Sequence, residues 1–382
     1  MASNLVEINP KLIIWAIEVS QINYADIVIK FPRIGEWVSQ ETAPTFKQLQ
    51  ALCKFLHVPF GYMFLDEPPE LNIIKSEFRT ISSNIIGSPS QALQDVLLDA
   101  QYISSWMRDY RIQNGVEALE YVGCLASSRM AYVDYSTIVT KIRDLLQLEA
   151  DWSKQIANNK LAFNDFRKRI ESIGTIVIVK GFVRTNTRRR LSINEFRAFA
   201  LCDEYAPTIF INSKDSDNGR LFSIIHEFAH ILLGTDHLEN ANRQPETLCN
   251  KAAINTLAPL KLVKDSWKNI HEQNIIGRIL RISDLFKTSP HAMAIHLLNM
   301  DYIRDSHLQE IIRITQLSSE KPDETESGGN YWNTTLFSIS PNFINAVAAQ
   351  VNSGRTQYTE AFRLLNISKM STFDSLIERV NK

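Results

Sequence analysis

Cysteine is scarce in this chain: four in 382 residues, at positions 53, 124, 202 and 249, without paired spacing. That excludes a disulfide framework and points to a reducing compartment. Long hydrophobic runs are missing too, since no apolar stretch approaches a membrane span. The start Met1-Ala2-Ser3-Asn4 lacks a signal-peptide pattern, so the expected location is cytoplasmic, with no membrane partner. Charge of one sign is not in excess: the net charge is −1, which leaves no global basic field to advertise nucleic acid. No repeat, phosphate-binding glycine loop or serine nucleophile elbow is present.

What the chain does have is apolar mass, 45% of its residues. That is enough to bury a large core divided among two or three domains. Within it, the apolar stretch Leu221 to Leu233 carries His226-Glu227-Phe228-Ala229-His230. Leu221, Phe222, Ile224, Ile225, Phe228, Ile231 and Leu232 recur at helical spacing, Asp217 or Asn218 is expected to cap the start, and Gly234 suits the stop. Two histidines four apart on a helix are offset by about 40° and roughly 6 Å, so both can reach one metal ion while Glu227 faces the same cleft. The competing reading is a core helix with two satisfied histidines, but a buried unpaired glutamate beside them would cost several kcal/mol.

A catalytic zinc takes three protein ligands and keeps a fourth position open. Glu246 is expected to be the third ligand. It opens a second expected helix, Pro245 to Thr256, on which Asn250 shares its face one turn on and would orient Glu246 or a histidine. His237 ranks below it, standing seven residues after His230 with Gly234 at four. Asp236 and Glu239, in a polar stretch, are weaker candidates still, and Cys249 reads as an ordinary buried thiol.

Ahead of this helix, Thr175 to Val179, Phe196 to Asp203 and Pro207 to Asn212 read as strands, and Leu161 to Ile173 as a helix. The fold class expected is α+β, predominantly helical: a sheet of three or more strands packed on the histidine helix, flanked by helical amino- and carboxy-terminal domains. One edge strand would hold an extended peptide. Arg188-Arg189-Arg190 is read as a solvated loop, although it could attract an acidic segment or nucleic acid. Ala92 to Tyr110 carries a packing stripe, and His291 and His296 are surface or packing residues. The expected oxyanion donor is left open between Tyr205 and Arg220.

The segment Phe222 to Gly234, with Glu246-Thr247-Leu248-Cys249-Asn250-Lys251, Leu257-Ala258-Pro259, Glu195 to Leu201 and Tyr205 to Asn212, resembles the ImmA/IrrE family of metallopeptidases. Near the amino terminus Ile8-Asn9-Pro10, Phe31-Pro32, Pro44 to Leu49 and Val58 to Phe64 resemble the XRE-type helix-turn-helix module often fused to that peptidase. Glu77-Phe78-Arg79-Thr80 resembles the connector of such fusions, Ile282 to Leu298 the helical rhythm after the core, and Gly328-Gly329-Asn330-Tyr331 a motif of their tails. The resemblance implies Zn2+ on His226, His230 and Glu246 with Glu227 as catalytic base. It also implies a protein substrate encoded nearby, an XRE-type repressor or antitoxin-like partner. The rival expectation is a non-proteolytic antitoxin or transcriptional regulator that uses the same fold to bind a toxin or operator DNA.

The expected domains are the helix-turn-helix module at 1–70, a helical connector at 71–150, the peptidase core at 151–265 and a helical extension at 266–317. A flexible linker at 318–329 and a carboxy-terminal helical unit at 330–382, itself with a helix-turn-helix feel, complete them. The expected helices of the first module are Pro10 to Ser20, Asn23 to Lys30, Arg33 to Ser39 and Thr45 to Leu56. From Met1 to Glu67 five cations face seven carboxylates, a poor inventory for neutralising phosphates. At the recognition position only Arg33 and Gln40 are side chains that read base edges well, so DNA is a weakly supported partner.

Overall fold

A computed structural model of the chain describes residues 5–20, 22–56, 58, 60–68, 89–126, 133–149, 151–235, 243–319 and 337–381. They fall into two units, the second beginning at residue 99. The first holds α1 (Pro10–Ser20), α2 (Tyr24–Lys30), α3 (Ile34–Val38) and α4 (Phe46–Leu56), followed by a 3-10 turn at Phe60–Phe64. Leu12, Ile13, Ile27, Ile34, Trp37, Leu49, Leu52 and Leu56 build its own core. Asn23 caps α2 by accepting from the Ala25 amide at 2.9 Å, and Arg33 stands at the cap of a third helix shorter than expected.

The second unit takes in α5 (Gln91–Gln113) from residue 99 on, α6 (Tyr135–Leu145) and α7 (Asn159–Ser172). The strands β1 (Ile176–Lys180), β2 (Phe182–Val183), β3 (Asn186–Arg190), β4 (Ala198–Leu201) and β5 (Thr208–Asn212) precede α8 (Asp217–Leu233) and α9 (Arg243–Leu257). The described residues are mostly helical, with one small mixed three-stranded sheet in this unit. Strand order is β1-β5-β4, with β5 in the centre, parallel to β1 and antiparallel to β4. Ile-Val-Ile-Val in β1 favours extended backbone, and a strand buried on both faces needs apolar residues at every position.

Alternation sorts these side chains. Val177, Val179, Ala198, Ala200, Ile209 and Ile211 join the core that includes α7 and α8, while Phe199 stacks on Phe210 on the other face, centroids 5.0 Å apart. The two alanines let the helix approach β4 closely. Arg188-Arg189-Arg190 is not a loop: it lies in β3, which pairs with β2 as a two-stranded ribbon. The apolar alternation that normally reveals a strand is absent from an arginine run.

After α9 come α10 (Leu260–Asn269), α11 (Ile275–Leu285), α12 (Pro290–Leu298) and α13 (Asp305–Ser319), packed around Val263, Ile279, Ile282, Met293 and Leu297. Then follow α14 (Pro341–Asn352), α15 (Tyr358–Leu365) and α16 (Met370–Val380). Ser318 and Ser319 of the expected linker end α13. The rest of that linker, Glu77 to Thr80 and Gly328 to Tyr331 lie outside the described residues. No described helix is long and apolar enough to cross a membrane.

Candidate metal centre

Both ends of α8 are set by local chemistry. Ser216, not Asp217 or Asn218, is the N-cap, its hydroxyl accepting from the Gly219 amide at 3.1 Å. That leaves Asp217 in the first turn, where a carboxylate suits the helix dipole. At the other end Gly234 takes a left-handed φ of 63°. A Cβ there would sit 3.0 Å from the Cα of Gly123. The loop carrying Gly123 is bound to the helix end, its Gly123 and Leu125 amides donating to the Ile231 and Leu232 carbonyls at 2.8 and 2.9 Å. A helix enclosed in this way must be apolar all round, and apart from its half-buried Phe222 every residue from Leu221 to Leu233 is buried.

Into that apolar setting α8 places His226, Glu227 and His230, at most 3% exposed. Glu246 approaches from the first turn of α9. The His226 and His230 Nε2 atoms lie 3.1 Å apart. From His226 Nε2 to Glu246 Oε2 is 3.4 Å, and from His230 Nε2 to Glu246 Oε1 is 3.1 Å. Burial alone would push the Glu246 carboxyl up, but hydrogen bonds and charge from the two imidazoles outweigh it and hold the group well below the usual carboxylate range.

Two imidazole nitrogens and a carboxylate are a divalent-metal donor set, and their mutual distances test the fit. Ligands about 2.05 Å from a tetrahedral zinc lie about 3.3 Å from one another. The three separations bracket that value, the two to Glu246 running to its two carboxylate oxygens, so the donor set fits such a metal.

With its Nε2 turned toward Glu246, His230 sets its Nδ1 3.1 Å from Thr235 Oγ1, where Nδ1 would carry the proton and donate once Nε2 served a metal. This partner was missed in the sequence, where the only signal was a hydroxyl residue directly after the capping glycine. Asn250, expected to orient a ligand, makes no hydrogen bond to Glu246 or to either imidazole: its Oδ1 is buried and unpartnered among the described residues. Cys249 is fully buried outside the convergent group. His237, Asp236 and Glu239 lie outside the described residues. Arg220 pairs with Asp217 and lies over the Phe163 ring, and the Tyr205 carbonyl accepts from Arg111. Neither observation makes an oxyanion donor of them.

The end of β4 reaches the same place. Cys202, the residue after the strand, donates its thiol to the His230 carbonyl at 3.7 Å. In the first unit, Arg33 is committed to Glu36 at 2.8 Å, and Gln40 is an exposed residue of left-handed φ beyond α3. His296 is buried, its Nε2 donating to the Ala258 carbonyl at 3.1 Å.

A comparison with curated proteins gives no match. No helix-turn-helix domain is matched in the chain. Residues 339–379, covering α14 to α16, match a domain of unknown function, DUF8813. Residues 175–297, from β1 into α12, match the IrrE N-terminal-like domain of the M78 peptidases, and His226, Glu227, His230 and Glu246 all fall inside that match.

Proposed function

We propose that the second unit is a zinc-dependent endopeptidase that cuts a specific regulatory protein, an XRE-type repressor or antitoxin-like partner. The observation that carries this reading is the convergence of the two Nε2 atoms and the Glu246 carboxylate, within 4.8 Å of one another, beside the buried Glu227. When bound, zinc supplies a Lewis acid that polarises the scissile carbonyl and makes water acidic near neutral pH.

His226, His230 and Glu246 would hold that metal. Glu227 would take the proton from the attacking water on its carboxylate and deliver it to the nitrogen of the leaving amine. The apolar walls of α8 exclude competing water and strengthen each charge interaction inside. β4 pairs with β5 on one side only, among the described strands, and its end touches His230. An extended peptide laid along its open edge would therefore run past the ligand helix.

The test is Glu227→Gln, coexpressed with the protein encoded next to this one. The variant is expected to keep a full complement of zinc by elemental analysis and to lose cleavage of that partner by about a hundredfold or more. Cleavage at the unaltered rate would remove Glu227 from the mechanism. Tight binding of the partner by the zinc-loaded unaltered protein, with no turnover, would instead establish the non-proteolytic regulator.

A further inference from the structure

The arginine ribbon has no part in the peptidase site, and its geometry gives it a role of its own. Along β3, whose register against β2 shifts between Phe182 and Val183, Arg188 and Arg190 point to solvent and Arg189 between them is half-buried. Arg188 and Arg190 are exposed, and among the described residues neither guanidinium has an ion pair or hydrogen bond. The platform beneath them is fixed. Val183 and Leu191 are buried, the Leu191 amide donates to the Gly181 carbonyl at 2.9 Å, and Arg184 grips Asp99 at 2.9 Å. The two arginines thus spring from alternate residues of the ribbon, about 6.6 Å apart along an extended backbone.

We propose that Arg188 and Arg190 form an exosite for an acidic, extended segment of a partner protein, with Asp or Glu at alternate positions. Charge complementarity selects the occupant, since the chain as a whole is close to neutral with a net charge of −1 and this pair is a local excess. A nucleic acid fits less well. It would want stacking aromatics and more cations, while the sole aromatic of the ribbon, Phe182, is half-buried and Arg184 is occupied by Asp99.

The ribbon leaves the sheet at the end away from the histidines. Lys180, its point of departure, pairs with Asn212, next to the Ile211 that faces Ala198 at the start of β4. Cys202, beyond the other end of β4, is the residue that touches His230. A partner held on the ribbon therefore leaves the metal site open. That this partner is also the substrate rests on the peptidase reading; the exosite itself does not.

The experiment uses full-length Glu227→Gln protein and a fluorescein-labelled peptide of alternating Glu and Ala, followed by anisotropy at several salt concentrations. Binding is expected to fade with rising salt. It should weaken about tenfold or more in Arg188→Glu/Arg190→Glu, and by a smaller factor in Arg188→Gln/Arg190→Gln. Lys261→Glu/Lys264→Glu, an equal charge change on exposed lysines of α10, should leave it unchanged. Equal weakening by both charge-reversed pairs, no binding of the peptide, or tighter binding of a single-stranded oligonucleotide of matched charge would each overturn the proposal. Because no cleavage is measured, a failed peptidase assay and a failed exosite remain separate results.

Discussion

At the scale of single residues, the contact between His230 Nδ1 and Thr235 Oγ1, 3.1 Å long, decides which ring nitrogen faces Glu246. An imidazole with its second nitrogen anchored is already in the tautomer and orientation that a metal needs, and losing such an anchor typically weakens metal affinity by 10–100-fold. Thr235→Val keeps the shape of the side chain and removes the acceptor. It is expected to lower zinc affinity by about that factor in competition with a chromophoric chelator, while Thr235→Ser restores it. Equal affinity in all three proteins would reduce Thr235 to a capping residue. The convergence of His226 with His230 was legible because spacing by four fixes two side chains on one helix face whatever surrounds them. Thr235 was not: its approach depends on the left-handed turn at Gly234, which reverses the chain over the ring.

The elements were legible where apolar periodicity carried them. α8, α9 and the three sheet strands could be read to within a few residues, because β-branched runs and helical stripes are local properties. The ribbon of β2 and β3 was lost, since arginines alternate in space without alternating in polarity. The carboxyl end of α8 depends on a close contact with the Gly123 loop, and that makes Gly234 a sharp test. Gly234→Ala adds a Cβ to a residue at φ 63°, 3.0 Å from the Gly123 backbone. The left-handed conformation alone costs about 1–2 kcal/mol, and the contact adds to it. Urea unfolding should show a loss of about 2 kcal/mol or more, whereas Gly115→Ala, also left-handed but with nothing near its Cβ, should lose only the conformational part. Another test concerns α12. Burial holds the His296 imidazole below its ordinary pKa, against the opposing bond to the Ala258 carbonyl. A group whose pKa is depressed on folding contributes stability above its unfolded value that is lost as pH falls. Melting temperature should therefore drop as pH falls below about 6.5, and less steeply in His296→Gln.

On the scale of the whole unit, the carboxy-terminal helices meet the metal-site core around a buried ion pair of α7. Arg167 and Glu171, on α7, meet at 2.9 Å with both side chains under 10% exposed. Arg167 also donates to the Phe337 carbonyl at 2.6 Å, and the Asn342 side chain donates to the Glu171 carbonyl at 3.0 Å. Phe337 closes the contact against Phe163, centroids 6.1 Å apart, and Phe343 of α14 meets Trp106 edge-on at 5.5 Å. None of this was legible. The partners lie 170 residues apart, and a charged pair spaced by four on a helix reads as a solvated one. Burial raises the Glu171 pKa even with Arg167 beside it to pull it down. Arg167→Met removes that counterweight and leaves a buried carboxylate without its cation, a change that typically costs about 3–5 kcal/mol. The folded carboxyl then holds its proton to a pH at which the unfolded chain has released it. A pKa raised on folding means stability that is present at acid pH and lost as pH rises. Urea unfolding of Arg167→Met should therefore show a smaller deficit at pH 5 than at pH 8, and Arg167→Met/Glu171→Leu should recover most of the loss at pH 8. A deficit independent of pH in the single variant, or no recovery in the double, would mean that the pair packs α7 without holding the carboxy-terminal helices to it.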